Sequence, residues 1–184
     1  MRLLLAFLLL TCTACKPSLD EVLADAKKNE AEILRQAEAK QSVHIFGGTV
    51  IGKDEGEWGG EVAFREPNGT TYQLVPDNSH GIFAMPFGVV ALTGLSHLSS
   101  NRGTVYVLSK DQEQRVKATP TLQLPGAPCD VARNGDQIHM RIFAGFASSG
   151  SGGSKPEYHC YALRSPSILT REKCSVPESP ICFG

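Results

Sequence analysis

The chain has 184 residues, and its 18 lysines and arginines nearly balance 19 aspartates and glutamates, for a formal charge of -1. The charges are spread evenly along it, so the basic face that duplex binding requires is not expected, and neither is a nucleic-acid partner. The length suffices for one hydrophobic core and hence one principal domain.

The first fifteen residues read as an export address: Arg2 is a positive start, Leu3 to Leu10 an apolar run, and Thr13-Ala14 the small residues before a cut. The run is far shorter than the roughly 20 apolar residues that span a bilayer. Because the cut falls directly before Cys15, the segment resembles a bacterial lipoprotein signal, which implies that Cys15 carries the lipid. Several acyl chains on one cysteine, each methylene contributing about 0.8 kcal/mol when buried, hold a protein on a membrane without a spanning helix. Cys12 stands where that family's lipobox usually has an aliphatic residue, and ordinary secretion with Cys15 as a leftover thiol is the competing reading. By the same resemblance, Lys16 after the cysteine implies sorting to the outer membrane, facing the periplasm. Loss of Arg2 with the signal makes the mature chain more negative by one charge.

Ser18-Leu19-Asp20-Glu21 forms a capping box and predicts a helix start. From Leu19 to Gln41 there is neither glycine nor proline, and Leu19, Val22, Leu23, Ala26, Ile33, Leu34 and Ala37 recur at helical spacing. Such a helix is on the order of 30 Å long. Its thin apolar stripe, interrupted by Glu30, fits either a projecting tether or a helix lying on its own domain.

From Val43 onward short runs rich in Val, Ile, Phe and Tyr alternate with Gly, Pro, Asn and Asp, which predicts a mostly β domain. Asn68-Gly69 and Asn134-Gly135 predict hairpin turns, between 61–66 and 70–75 and between 129–133 and 137–143. Pro86-Phe87-Gly88 predicts a third, and Lys110 to Glu113 and Ser165-Pro166-Ser167 two more. Val89 to Leu92 and Val105 to Leu108 are apolar on both faces, so their sheets are expected to be covered on both sides. Three stretches recur in similar contexts: Gly60 to Arg65, Gly103 to Leu108, and Tyr158 to Leu163. Between them lie hairpins of another kind, Gly81 to Thr93 and Pro128 to Phe143. That alternation, at about 40 to 50 residues, resembles the four-stranded blades of β-propellers over 43–174, without Trp-Asp or kelch signatures. Glu57 to Glu61 and Leu92 to Leu98 are also similar to phrases of small bacterial propeller-like proteins. The strand count gives an incomplete first blade, starting at Val43 to Ile51, and two whole ones, fewer than a closed ring needs. A stack of small sheets, two chains completing a ring together, or a β-sandwich all satisfy it. The expected organisation is thus a signal peptide over 1–14, a lipid anchor and helical tether over 15–42, and one β domain over 43–184.

Beyond the anchor, Cys129, Cys160, Cys174 and Cys182 lie in the last third of an exported chain, so two disulfides are expected. Four cysteines allow three connectivities, of which the preferred one has Cys174 with Cys182 closing the Pro-rich tail loop and Cys129 with Cys160 joining two strands. Among these four cysteines there is no C-x-x-C pair to argue for zinc, and no two of the five histidines, His44, His80, His97, His139 and His159, share metal-ligand spacing. The acidic stretch Lys53 to Glu57 lacks the alternating ligands of a calcium loop. The Ser- and Gly-rich run 147–155 contains neither a nucleophile elbow nor a Ser-x-x-Lys motif, and reads as a loop. No metal, cofactor or catalytic residue is therefore expected, and the chain is not expected to be an enzyme. The binding candidates are the lone Trp58, His97 in a polar loop, and Arg102 beside it. Together these features fit an envelope binding module that holds a periplasmic protein or cell-wall ligand, an inhibitor or immunity protein in particular. The competing expectation is an assembly component docking through its N-terminal helix.

Overall fold

A computed structural model describes residues 41–97, 100–148 and 154–174 together with Leu23, Ala24 and Lys27. The expectations for the signal peptide, Cys15, Cys182 and nearly all of the 19–41 helix lie outside these residues. Residues 37–184 form one compact unit, built from twelve strands: β1 Ser42–Ile45, β2 Gly48–Lys53, β3 Glu61–Arg65, β4 Thr71–Val75, β5 Ser79–Met85, β6 Gly88–His97, β7 Ser100–Lys110, β8 Val116–Leu124, β9 Pro128–Asn134, β10 Gln137–Ser148, β11 Ser154–Ser165 and β12 Ile168–Glu172.

The strands make three sheets of four, and in each the spatial order is the chain order: β1 to β4, β5 to β8, β9 to β12. All pairings are antiparallel. The fold is therefore mostly β in three small sheets, one more than a sandwich has. The three recurring stretches fall on β3, β7 and β11, the third strand of each sheet, and the hairpins between them are β5–β6 and β9–β10. The first sheet is complete, contrary to the strand count from the sequence. Its opening hairpin turns at Phe46 and Gly47, with φ of 59° and 82°, and closes on the pair Ile45 and Gly48. A phenylalanine in the left-handed region is rare, which is why Val43 to Ile51 reads as one strand.

Apolar side chains join the sheets in sequence. Val50, Val62, Phe64 and Val75 of the first sheet pack with Ile82, Val89, Ala91, Leu108 and Val116 of the second. Met85, Val90, Leu92, Val105 and Leu124 of the second pack with Val131, Ile138, Met140, Ile142 and Leu163 of the third. Successive residues Val89, Val90, Ala91 and Leu92 alternate between the two cores, as side chains on a strand must. The middle sheet is covered on both faces, and this is the physical origin of its unbroken apolar runs.

The disulfide is Cys160 with Cys174, their Cα atoms 5.0 Å apart, and not Cys160 with Cys129 or Cys174 with Cys182. Register explains it: Cys160 pairs with Glu172 across β11–β12, and the chain leaving β12 passes it two residues on. Cys129 sits on β9, with β10 between it and β11. Strands two apart are separated by about 9–10 Å, beyond the roughly 7 Å limit on Cα separation that a disulfide tolerates.

Candidate binding surface

Each sheet is an up-and-down meander and each hands the chain to the next at the same end. The connections β2–β3, β4–β5, β6–β7, β8–β9 and β10–β11 therefore share one end of the unit, and the turns within the other hairpins share the opposite end. The connection end is where the three sequence-selected residues lie: Trp58 in the β2–β3 connection, His97 at the close of β6, and Arg102 near the start of β7.

The β2–β3 connection begins and ends on the cross-strand pair Lys53 and Glu61, whose charged groups meet at 2.9 Å. Gln73 Nε2 also donates to Glu61, at 3.3 Å. The hydrogen bond and charge of Lys53 hold the Glu61 carboxyl below the ordinary range, and Glu61 in turn raises the Lys53 ammonium. Between them the chain makes a short 3-10 turn over Gly56–Trp58, with Gly56 N donating to Asp54 Oδ1 at 3.0 Å. Asn78, from the β4–β5 connection, braces this turn from both sides of its amide. Its Oδ1 accepts from Glu55 N at 3.1 Å and its Nδ2 donates to Gly56 O at 2.6 Å. The backbone of Asn78 also accepts from Gly94 N of β6 at 3.0 Å. Two histidine–carboxylate pairs add further ties, His80 with Asp54 at 3.4 Å and His97 with Glu57 at 3.0 Å. Packing is tight enough that a Cβ on Gly60 would lie 2.3 Å from Lys53 O and 2.5 Å from Asn78 Oδ1.

Trp58, 86% exposed, projects from this braced loop. A scattered exposed aliphatic residue is ordinary on a protein surface, but the only tryptophan of a chain, held out on a loop tied at both ends, presents a large rigid contact area at low entropic cost. At the same end of the unit, Arg102 reaches Asp77 with both terminal guanidinium nitrogens, Nη1 to Oδ2 and Nη2 to Oδ1, the latter at 3.1 Å. Asp77 is buried while half of the Arg102 side chain remains exposed. Toward the third sheet, Asn101 accepts from Ala127 N and donates to Phe143 O, both at 2.9 Å. Phe146, at the same end of β10, is 63% exposed and stacks edge-on with Phe143 at 5.3 Å between ring centroids.

The structure thus brings Trp58, His97 and Arg102 to one end of the unit, and it ties their segments together through Glu57 and through two residues the sequence did not single out, Asp77 and Asn78. Nothing local in Pro76-Asp77-Asn78 says that the side chains of Asp77 and Asn78 are spent on distant segments. The five histidines sit on five different strands, and among the described residues no three His, Cys, Asp or Glu side chains are grouped to hold a metal ion. At the opposite end, the β3–β4 and β7–β8 turns frame a groove of about 440 Å³ lined by Glu66, Tyr72, Asp111, Arg115, Val116 and Lys117. Val116 N donates to the Tyr72 hydroxyl at 3.1 Å, and Arg115 is taken up by Glu113 at 2.8 Å. Arg115 also lies 3.9 Å from Asp111. A scan against models of known protein families gives no match, and searches of curated proteins and of solved structures give none either.

Proposed function

We propose that this chain is a lipid-anchored, non-catalytic binding module of the bacterial envelope, tethered to the outer membrane through Cys15 and facing the periplasm. It holds an envelope or periplasmic protein at its connection end, and the class of task that suits it best is neutralisation of a toxin or hydrolase. The observation that carries this reading is the braced rim: an exposed tryptophan on a loop fixed by Asn78, His80 and His97, and at the same end a half-exposed arginine fixed by Asp77. Aromatic and arginine side chains in pre-set positions are the usual anchors of protein interfaces. A rigid scaffold of three stacked sheets with the Cys160–Cys174 disulfide suits a surface whose shape is the function. We further read the three sheets as propeller blades, a reading supported by the four-strand meander in each, by the recurrence on β3, β7 and β11, and by the stacking of each sheet on the next.

The test is affinity capture from envelope extract, using the chain from Lys16 onward and a companion lacking residues 19–40. One partner retained by both is the expected result. Loss of the partner with the helix turns the reading toward an assembly role. Absence of any protein partner turns it toward a cell-wall ligand. Metabolic labelling with a palmitate analogue tests the anchor, and label is expected on the wild-type chain but not on Cys15→Ser.

A further inference from the structure

Three buried oxygen atoms near the start of the β domain, Gln41 Oε1, Ser79 Oγ and Thr93 Oγ1, find no hydrogen-bond partner among the described residues. They converge on one place. Ser79 and Thr93 are opposed across the β5–β6 pair, so both side chains leave the same face of the middle sheet, and both residues have no exposed surface. Ala91, two residues before Thr93 and hence on the same face, belongs to the core shared with the first sheet. Across that seam lies Gly52 of β2. A Cβ on Gly52 would stand 2.2 Å from Ser79 Oγ and 2.6 Å from Gln41 Oε1. The two oxygens are therefore at most about 5 Å apart, a gap that two hydrogen bonds of about 2.8 Å span. Gln41 Nε2 donates to Ser79 O at 2.8 Å. This fixes the amide so that its acceptor oxygen, not its nitrogen, is the atom left over.

We propose that Gln41 Oε1, Ser79 Oγ and Thr93 Oγ1 bind a single internal water molecule, which fastens the residue immediately before β1 to the seam between the first and middle sheets. The donor count closes. Water donates to Gln41 Oε1, which only accepts, while the two hydroxyls donate to the water or accept from it. A buried water with three protein partners is the usual arrangement inside globular proteins. A cation does not suit the set, because all three oxygens are neutral and an uncompensated charge beside an apolar core is far costlier than a water. Gly52 is the residue that lets Ser79 Oγ and Gln41 Oε1 approach β2 together, since a Cβ there would collide with both.

The full mature chain, crystallised at a resolution that shows ordered solvent, is expected to show one density peak about 2.7–3.2 Å from all three atoms. In denaturant titrations, Thr93→Val and Ser79→Ala are each expected to raise the ratio of unfolded to folded protein about fivefold. The double variant should do so by less than the product of the two, because the water is lost only once. Thr93→Ser keeps the hydroxyl and is expected to stay near the parent. A direct Ser79–Gln41 hydrogen bond with no peak overturns the proposal, as does a peak at the shorter distances of a coordinated cation. Unchanged or increased stability of Thr93→Val also overturns it, because a methyl replacing an unused hydroxyl in a core gives that sign.

Discussion

The Asn78 side chain is spent on the backbone of another loop, accepting from Glu55 N and donating to Gly56 O. Asn78→Ala is expected to cost about 1–3 kcal/mol, since two partners are left without it; chemical unfolding reads the loss. Gly60→Ala sets a Cβ against a carbonyl, Lys53 O, that cannot move without its strand, and about 1–3 kcal/mol of destabilisation is expected. The Lys53–Glu61 pair at the base of the same loop gives a pH dependence with a defined sign. Glu61, lowered from 4.5 by its hydrogen bond to Lys53, contributes stability above pH 4.5 that is lost as pH falls through its depressed folded value. Lys53, raised from 10.5 by Glu61, contributes stability below pH 10.5 that is lost as pH rises through its elevated folded value. Glu61→Gln is expected to flatten both limbs of the stability curve. The effect is small and shrinks with added salt, because the pair faces solvent. An acid limb unchanged in the variant would contradict the assignment. Trp58, His97 and Arg102 were singled out by residue type and loop context, with Arg102 in the same loop as His97. That the Trp58 loop lies at the same end of the unit was not legible, because it depends on Asn78 and Asp77 reaching across a sheet boundary.

Most elements were legible because their turns carry strong local chemistry. At the β3–β4 turn, Gly69 N donates to Glu66 O and Glu66 N to Thr70 O, at 2.9 and 2.8 Å, and Gly69 takes φ of 90°. That is a three-residue turn closed by a left-handed glycine. At the β9–β10 turn, Asn134 pairs with Gln137, so the turn itself is Gly135-Asp136, one residue later than the Asn-Gly signal suggests. What escaped reading was non-local. Phe46 turns the first hairpin without a turn residue's chemistry, and the disulfide follows strand order, which spacing does not encode. Cys160–Cys174 closes a separation of 14 residues, and a loop of that size is expected to stabilise the fold by about 3 kcal/mol. Comparing unfolding of wild type and Cys174→Ser under oxidising conditions measures it, and equal stabilities would show that the third sheet is held by its core alone.

The middle sheet is the keystone of the unit, because each of its strands contributes to one core on one face and to the other core on the opposite face. Ile82→Ala in the first core and Leu92→Ala in the second are each expected to cost about 2–5 kcal/mol, both side chains being essentially without exposed surface. Both should still unfold in one transition, since neither outer sheet keeps its buried face without the middle one. On this frame the connection end is a surface held in place before any partner arrives. The opposite end offers a groove in which Arg115 is paired with Glu113. The most direct test is the affinity of the captured partner for Trp58→Ala against that for Lys117→Ala, a substitution in the groove at the opposite end. Trp58→Ala is expected to weaken binding at least about tenfold, the loss typical of a central aromatic anchor, with Lys117→Ala binding like wild type. Undiminished affinity of Trp58→Ala, or a loss confined to Lys117→Ala, would contradict the assignment of the binding surface.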